Sequence, residues 1–227
     1  MPLRTFTILG LAMSSLAAVI GAPVSDALAN GKNDPSITAC SPIEIISVRG
    51  TTEPQTGSRV MQPTIGRIMR QFPKATLYNV VYPADRDFAN GPIIGAKDLM
   101  DHLTAQAAAC PEQQYVLAGY SQGAMVLHRA FSSISEATFN RIPAVIMFGD
   151  PFYDPSLPSS AGTAKGQGGP RPGAPRLPQE WVAKTRDYCN AGDPVCTSTG
   201  SNWLVHASYG ASPQAGEAAS FVISKLS

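Results

Sequence analysis

Apolar and polar positions follow two rhythms along this chain. Runs rich in β-branched and aromatic residues read as strands: IEIISV (43–48), TLYNVVY (76–82), YVLAGY (115–120), PAVIMF (143–148) and WVAKTRDY (181–188). The middle runs are almost continuously apolar, as expected of strands covered on both sheet faces. Between them Val60, Met61, Ile65, Ile68 and Phe72 recur at helical spacing, as do Ile93, Ala96, Met100, Leu103 and Ala107. A third helix is predicted from Gln122 to about Glu136. A last one starts at Ser212-Pro213 and buries Phe221, Val222 and Leu226. Strands alternating with helices predict one α/β domain with a mostly parallel sheet.

One stretch breaks the rhythm. Residues 154–178 are crowded with Pro, Gly and Ser, a composition that predicts neither strand nor stable helix. They read as a long surface excursion, either a mobile loop or a partial rim to a binding site.

The N-terminal residues belong to a different category. Arg4 precedes an apolar stretch, and Ala27-Leu28-Ala29 offers a small-x-small cleavage site, so residues 1–29 read as a secretory signal peptide and 30–227 as the mature domain. A membrane anchor is the alternative; Ser14 and Ser15 interrupt the stretch, and stable membrane insertion is not expected. The 227 residues are 44% hydrophobic and 15% charged, with a formal charge of +1. That balance offers no basic surface for nucleic acid. A monomer is the default expectation.

The four cysteines, Cys40, Cys110, Cys189 and Cys196, suit two disulfides in a secreted chain. Three pairings are possible, and the spacing favours Cys189–Cys196 closing a short loop, which leaves Cys40–Cys110. A zinc site is disfavoured because no CxxC pair occurs and His206 is the only histidine near the later cysteines. No metal or cofactor is implied.

The chemistry centres on Gly119-Tyr120-Ser121-Gln122-Gly123, between a predicted strand and a predicted helix. That is the context of a nucleophile elbow, in which flanking small residues let a sharp turn lift a serine hydroxyl out of the sheet. A helix-capping serine is the plainer reading, but it would not need glycine on both sides. The base should follow the nucleophile in the chain. His102 precedes it and reads as a solvated surface residue, and His128 lies about two turns along the helix after Ser121, which suits a structural role. His206 remains. Among the carboxylates between Ser121 and His206, Asp193 sits in CNAGDPVC, where a disulfide would hold it against the imidazole; Asp150, after a core strand, is its rival. For an oxyanion, the backbone N–H of Gln122 is one donor and Thr51, in RGTTEP after the first strand, is the second. Trp203, Leu204 and Val205 precede the histidine and read either as apolar acyl-site walls or as ordinary core.

Taken together, RGTTEP, GYSQGAMV, CNAGDPVC, HASYG and the positions of Cys40 and Cys110 resemble the cutinase family, secreted serine esterases that include acetylxylan esterases. The resemblance covers nearly all of the chain after residue 29. It implies an α/β-hydrolase-type three-layer sandwich with a central five-stranded parallel sheet and no large lid. It also implies a Ser121–Asp193–His206 triad, an oxyanion hole from Thr51 and Gln122, and bridges Cys40–Cys110 and Cys189–Cys196. Thr51 stands where many cutinases carry serine, and the excursion at 154–178 is longer than in compact fungal members.

The expected activity is hydrolysis of cutin-type polyesters and short-chain fatty esters. Deacetylation of xylan is an alternative on the same fold. A catalytically inert secreted surface-binding protein is the alternative of another class.

Overall fold

The computed structural model describes residue 2 and residues 39–169 and 173–227; the expected leader, 1–29, lies outside the described residues save for residue 2. Six parallel strands form the sheet: β1 (Ile43–Val48), β2 (Thr76–Asn79), β3 (Gln114–Tyr120), β4 (Ala144–Phe148), β5 (Ser160–Ala161) and β6 (Thr185–Tyr188), in the order β2-β1-β3-β4-β6-β5. Helices α1 (Gln62–Gln71), α2 (Gly91–Ala109), α3 (Gln122–Ala130), α4 (Glu136–Asn140), α5 (Gln179–Val182), α6 (Trp203–Ala207) and α7 (Pro213–Leu226) complete the fold.

The apolar runs work as period-2 strands covered on both faces. Ile46, Val48, Tyr115, Leu117, Val145 and Met147 point into one core with Leu99 and Leu103 of α2 and Val126 and Leu127 of α3. Their neighbours Ile43, Ile45, Val116, Ala118, Ile146 and Phe148 point the other way, against Ile65 and Ile68 of α1 and Ala218 and Val222 of α7. The result is the expected three-layer α/β-hydrolase-type sandwich.

Five details differ from the sequence reading. The sheet has six strands, because Ser160 and Ala161 inside the Pro/Gly-rich excursion pair with Asp187 and Tyr188. Two residues need only a partner edge, and composition gives no sign of one. The run at 181–188 begins as helix α5 and becomes strand only at Thr185. The helix after Gln122 ends at Ala130 and passes through a 3-10 turn, Phe131–Ser133, before α4. On α2 the apolar pattern misleads: Ile93 and Ile94 are exposed, while Gly95, His102 and Gln106 face the core. On α7, Ala218, Ala219 and Val222 are buried, whereas Phe221 and Leu226 are half-buried at the edge.

His102 is accordingly not a solvated residue. It is 1% exposed, its Nε2 lies 2.9 Å from Glu44 Oε2, and its ring stacks on Tyr78 at 3.5 Å between centroids.

Candidate active site

The C-terminal ends of the parallel strands carry the site, the usual place for chemistry in such sheets. β3 ends at Tyr120 and α3 begins at Gln122, so Ser121 must turn the chain in a single residue. It does so at φ 54°, ψ −116°, a left-handed conformation that costs a side-chain-bearing residue energy. Both flanking glycines are required by close packing. A Cβ on Gly123 would lie 2.1 Å from the carbonyl oxygen of Val48, and one on Gly119 would lie 2.9 Å from Leu127 Cδ1 and 3.0 Å from the Ala124 nitrogen. Ser121 makes no side-chain cap hydrogen bond to α3. Its hydroxyl faces elsewhere.

Ser121 Oγ lies 2.9 Å from His206 Nε2. The other ring nitrogen, Nδ1, lies 2.9 and 3.0 Å from the two carboxylate oxygens of Asp193. Hydroxyl, imidazole and carboxylate therefore form one line, with His206 and Asp193 buried and Ser121 half-buried. With the carboxylate accepting the Nδ1 proton, the Nε2 lone pair is left facing the hydroxyl.

His206 sits on the short helix α6 rather than in a loop. Asn202 caps that helix, its side chain accepting the Leu204 N–H. The imidazole packs beside Tyr120, whose ring is 5.1 Å away and whose hydroxyl donates to the His206 carbonyl. On another side it meets Gly149: a Cβ there would lie 2.7 Å from His206 Cε1.

Asp193 is held from several directions. Its Oδ1 accepts the Val195 N–H at 2.7 Å, and its Oδ2 accepts the Tyr209 hydroxyl at 2.7 Å. Burial alone would raise its pKa. The His206 hydrogen bond and charge, Tyr209 and Val195 outweigh burial and hold the carboxyl below its ordinary range. Tyr209 itself is fully buried, stacked on Phe148, and receives the Asn190 N–H. The sequence reading missed Tyr209. The aromatic in HASYG carries no local signal that its hydroxyl faces a carboxylate.

The loop bearing Asp193 is closed by the Cys189–Cys196 disulfide, and Cys40 is bridged to Cys110. The excursion is fastened to this loop. Ala164 N–H donates to the Cys189 carbonyl, and the Ala191 N–H donates to Thr163 Oγ1. Gly162 and Gly168 approach the Cys189 and Cys196 carbonyls so closely that a Cβ on either would lie 2.4 Å from that oxygen. Residues 160–168 are thus a strap over the acid loop.

Thr51 lies across from the elbow, its Oγ1 3.4 Å from Gln122 Oε1. The turn around it is rigid. Glu53 accepts the Gly50 N–H, Arg49 donates to the carbonyls of Glu53, Val80 and Tyr82, and Thr52 N–H donates to Ala84. Gln122 Nε2 donates to the Asp85 carbonyl, tying the segment after β2 to the same rim. The backbone N–H of Gln122 opens α3 and has no intrahelical acceptor by position.

Trp203 and Leu204 are 65% and 80% exposed, and Val205 is half-buried, so none of the three is core. The Trp203 ring stands 5.9 Å from that of His206. Asp150, the rival acid, is elsewhere: its Oδ2 meets His128 Nε2 at 2.7 Å. Among the described residues, no group of three or more His, Cys, Asp and Glu side chains is placed to hold a metal ion, and no helix is long and apolar enough to cross a membrane.

A strained serine on a strand-to-helix turn, aligned with a histidine and an aspartate at the edge of a parallel sheet, defines a serine ester hydrolase of the α/β-hydrolase type. The chain belongs to the cutinase family, whose model matches residues 39–226. It is 30% identical over 227 residues to carboxylesterase Culp1 of Mycobacterium tuberculosis, covering 99% of this chain and 97% of the relative. A cutinase-like protein from Cryptococcus sp. superposes with a TM-score of 0.74 at 32% identity, covering 83% of this chain and 97% of the other. The catalytic core of acetyl xylan esterase from Trichoderma reesei does so at 0.73 and 26%, covering 82% and 100%.

Proposed function

We propose that the chain is a secreted carboxylic ester hydrolase in which Ser121 is the nucleophile, His206 the base and Asp193 the acid that orients it. The continuous contact from Ser121 Oγ through His206 to Asp193, with no step longer than 3.0 Å, carries this reading. His206 Nε2 takes the hydroxyl proton as Ser121 Oγ attacks the ester carbonyl. The resulting imidazolium is stabilised by Asp193 and returns its proton to the departing alcohol. Water then enters by the same route and releases the acid. Negative charge on the former carbonyl oxygen is met by the Gln122 N–H at the positive end of α3 and by Thr51.

Cutin-type polyesters and short-chain fatty esters are the proposed substrates. Trp203 and Leu204, on the helix that carries His206, leave apolar side chains exposed beside the catalytic histidine. Such a rim favours an aliphatic acyl chain over a sugar. Secretion accords with the two disulfides, and a single domain accords with one sheet and the cores on its two faces; the proposed domain runs from residue 30 and acts as a monomer.

The likeness to acetyl xylan esterase favours one other reading, deacetylation. Rates on acetyl, butyryl and octanoyl esters of one alcohol, with a polyester film alongside, separate the two. Retained activity at butyryl and longer, with film hydrolysis, is expected. A steep loss beyond acetyl assigns deacetylation instead.

A further inference from the structure

Behind the imidazole lies a second histidine–carboxylate group. His128 is 5% exposed, Asp150 fully buried and Asp187 5% exposed, on α3, after β4 and on β6 respectively. His128 Nε2 lies 2.7 Å from Asp150 Oδ2, Asp150 Oδ1 accepts the Phe152 N–H at 2.8 Å, and Asp150 and Asp187 share a hydrogen bond. Nothing in the ester chemistry uses these groups.

Two carboxyl groups in hydrogen-bond contact inside a protein do not both ionise; one keeps a proton and donates it to the other. Asp150 has the better set of donors, from His128 and Phe152. Asp187 has no such support. Its Oδ1 has no hydrogen-bond partner among the described residues, and burial followed by the Asp150 charge raises its pKa well above the ordinary value.

The position of this group gives it a role. Asp150 immediately follows Gly149, the residue in contact with the His206 ring. Gly149 has φ +61° and donates its N–H to the Tyr188 carbonyl, next to Asp187. A turn in that conformation, with no room for a side chain, is fixed by what anchors its ends.

We propose that His128, Asp150 and a protonated Asp187 are positioning residues that hold Gly149 against the imidazole of His206, one buried proton linking β4 to β6. The proposal rests on the catalytic reading of His206. It assigns these residues no contact with substrate.

Asp187→Asn, which replaces the protonated carboxyl with a neutral group of the same shape, and Asp150→Asn test it together. The wild-type protein should show an infrared carbonyl band of a protonated carboxyl at pH 7, and Asp187→Asn should lose that band. Asp150→Asn should lower kcat about tenfold or more with KM within twofold. If Asp150→Asn does not fold, His128→Gln carries the kinetic arm with the same expectation. No difference band between wild type and Asp187→Asn, or full kcat in Asp150→Asn or His128→Gln, overturns the proposal. A wild-type protein without esterase activity would refute the catalytic reading instead, and the infrared comparison would still decide where the proton is.

Discussion

The Tyr209 hydroxyl donates to Asp193 Oδ2 at 2.7 Å, on the same carboxylate that faces His206 Nδ1. Asp193 thus answers to two side-chain donors besides the Val195 N–H. The histidine fixes one edge of the carboxylate and the tyrosine keeps it from rotating. Tyr209 is in turn placed by stacking on Phe148, at the end of β4, with 5.2 Å between ring centroids.

Tyr209→Phe keeps the stacked ring and removes only the hydroxyl. A hydrogen bond to a charged acceptor is worth about 1.5–3 kcal/mol, so the variant should be destabilised by roughly that amount. Its kcat should fall about tenfold with KM little changed. Steady-state kinetics and chemical denaturation check both. Unchanged kcat would show that the acid is oriented without Tyr209.

Acid should act on the folded protein through Asp193. Its folded pKa is depressed, so its contribution to stability is fully present above the ordinary aspartate value of about 3.9 and is lost as pH falls through the lowered one. In Tyr209→Phe one depressing donor is gone, so that loss should begin at higher pH. Denaturation midpoints of the two proteins between about pH 2 and 5 measure the difference.

Asp187 has the opposite sign. Its folded pKa is raised, so stability is fully present below about 3.9 and declines as pH rises toward the folded value. One proton retained on folding corresponds to a slope of about 1.4 kcal/mol per pH unit within that window. Asp187→Asn should flatten the slope and be the more stable protein at pH 7. Equal slopes for the two would show Asp187 ionised in the folded state.

Gly123→Ala should be among the most damaging small substitutions in the chain. Its Cβ would stand 2.1 Å from a backbone oxygen of β1, which no side-chain motion relieves. A loss of about 3 kcal/mol or more is expected, with activity falling beyond the loss of folded protein because the elbow must shift. Thermal melts and specific activity per folded molecule test it.

Much of this was legible in the sequence, for reasons tied to particular residues. Strands β3 and β4 are buried on both faces, so their runs are almost continuously apolar, whereas β1 also buries Glu44 and Ser47. Gly119 and Gly123 are demanded by packing distances, and that demand appears directly as GYSQG. His206 followed from chain order. What stayed hidden depends on partners distant in sequence. His102 looks solvated until Glu44 and Tyr78 surround it, and Ile93 looks buried until the fold leaves it exposed. The strap at 160–168 needs the edge of β6 and the carbonyls of Cys189 and Cys196, none of which its composition announces.

The strap and the disulfide beneath it lead to a further outcome. Closing the 189–196 loop is worth about 2–3 kcal/mol by chain entropy, against above 4 for the long Cys40–Cys110 loop. Cys189 and Cys196 are buried beneath Ala164, whereas Cys40 is exposed. Graded reduction should therefore open Cys40–Cys110 first and cost stability before activity, while opening Cys189–Cys196 should cost activity at once. Mass mapping of each bridge beside activity follows the order, and activity lost with Cys189–Cys196 intact and the chain folded would contradict it.

Covalent labelling with an organophosphorus ester tests the catalytic reading most directly. One adduct per chain at Ser121, forming in step with loss of ester hydrolysis and abolished in His206→Ala, is the predicted result. Hydrolysis undiminished in Ser121→Ala, or complete inactivation with the label on another residue, would contradict it.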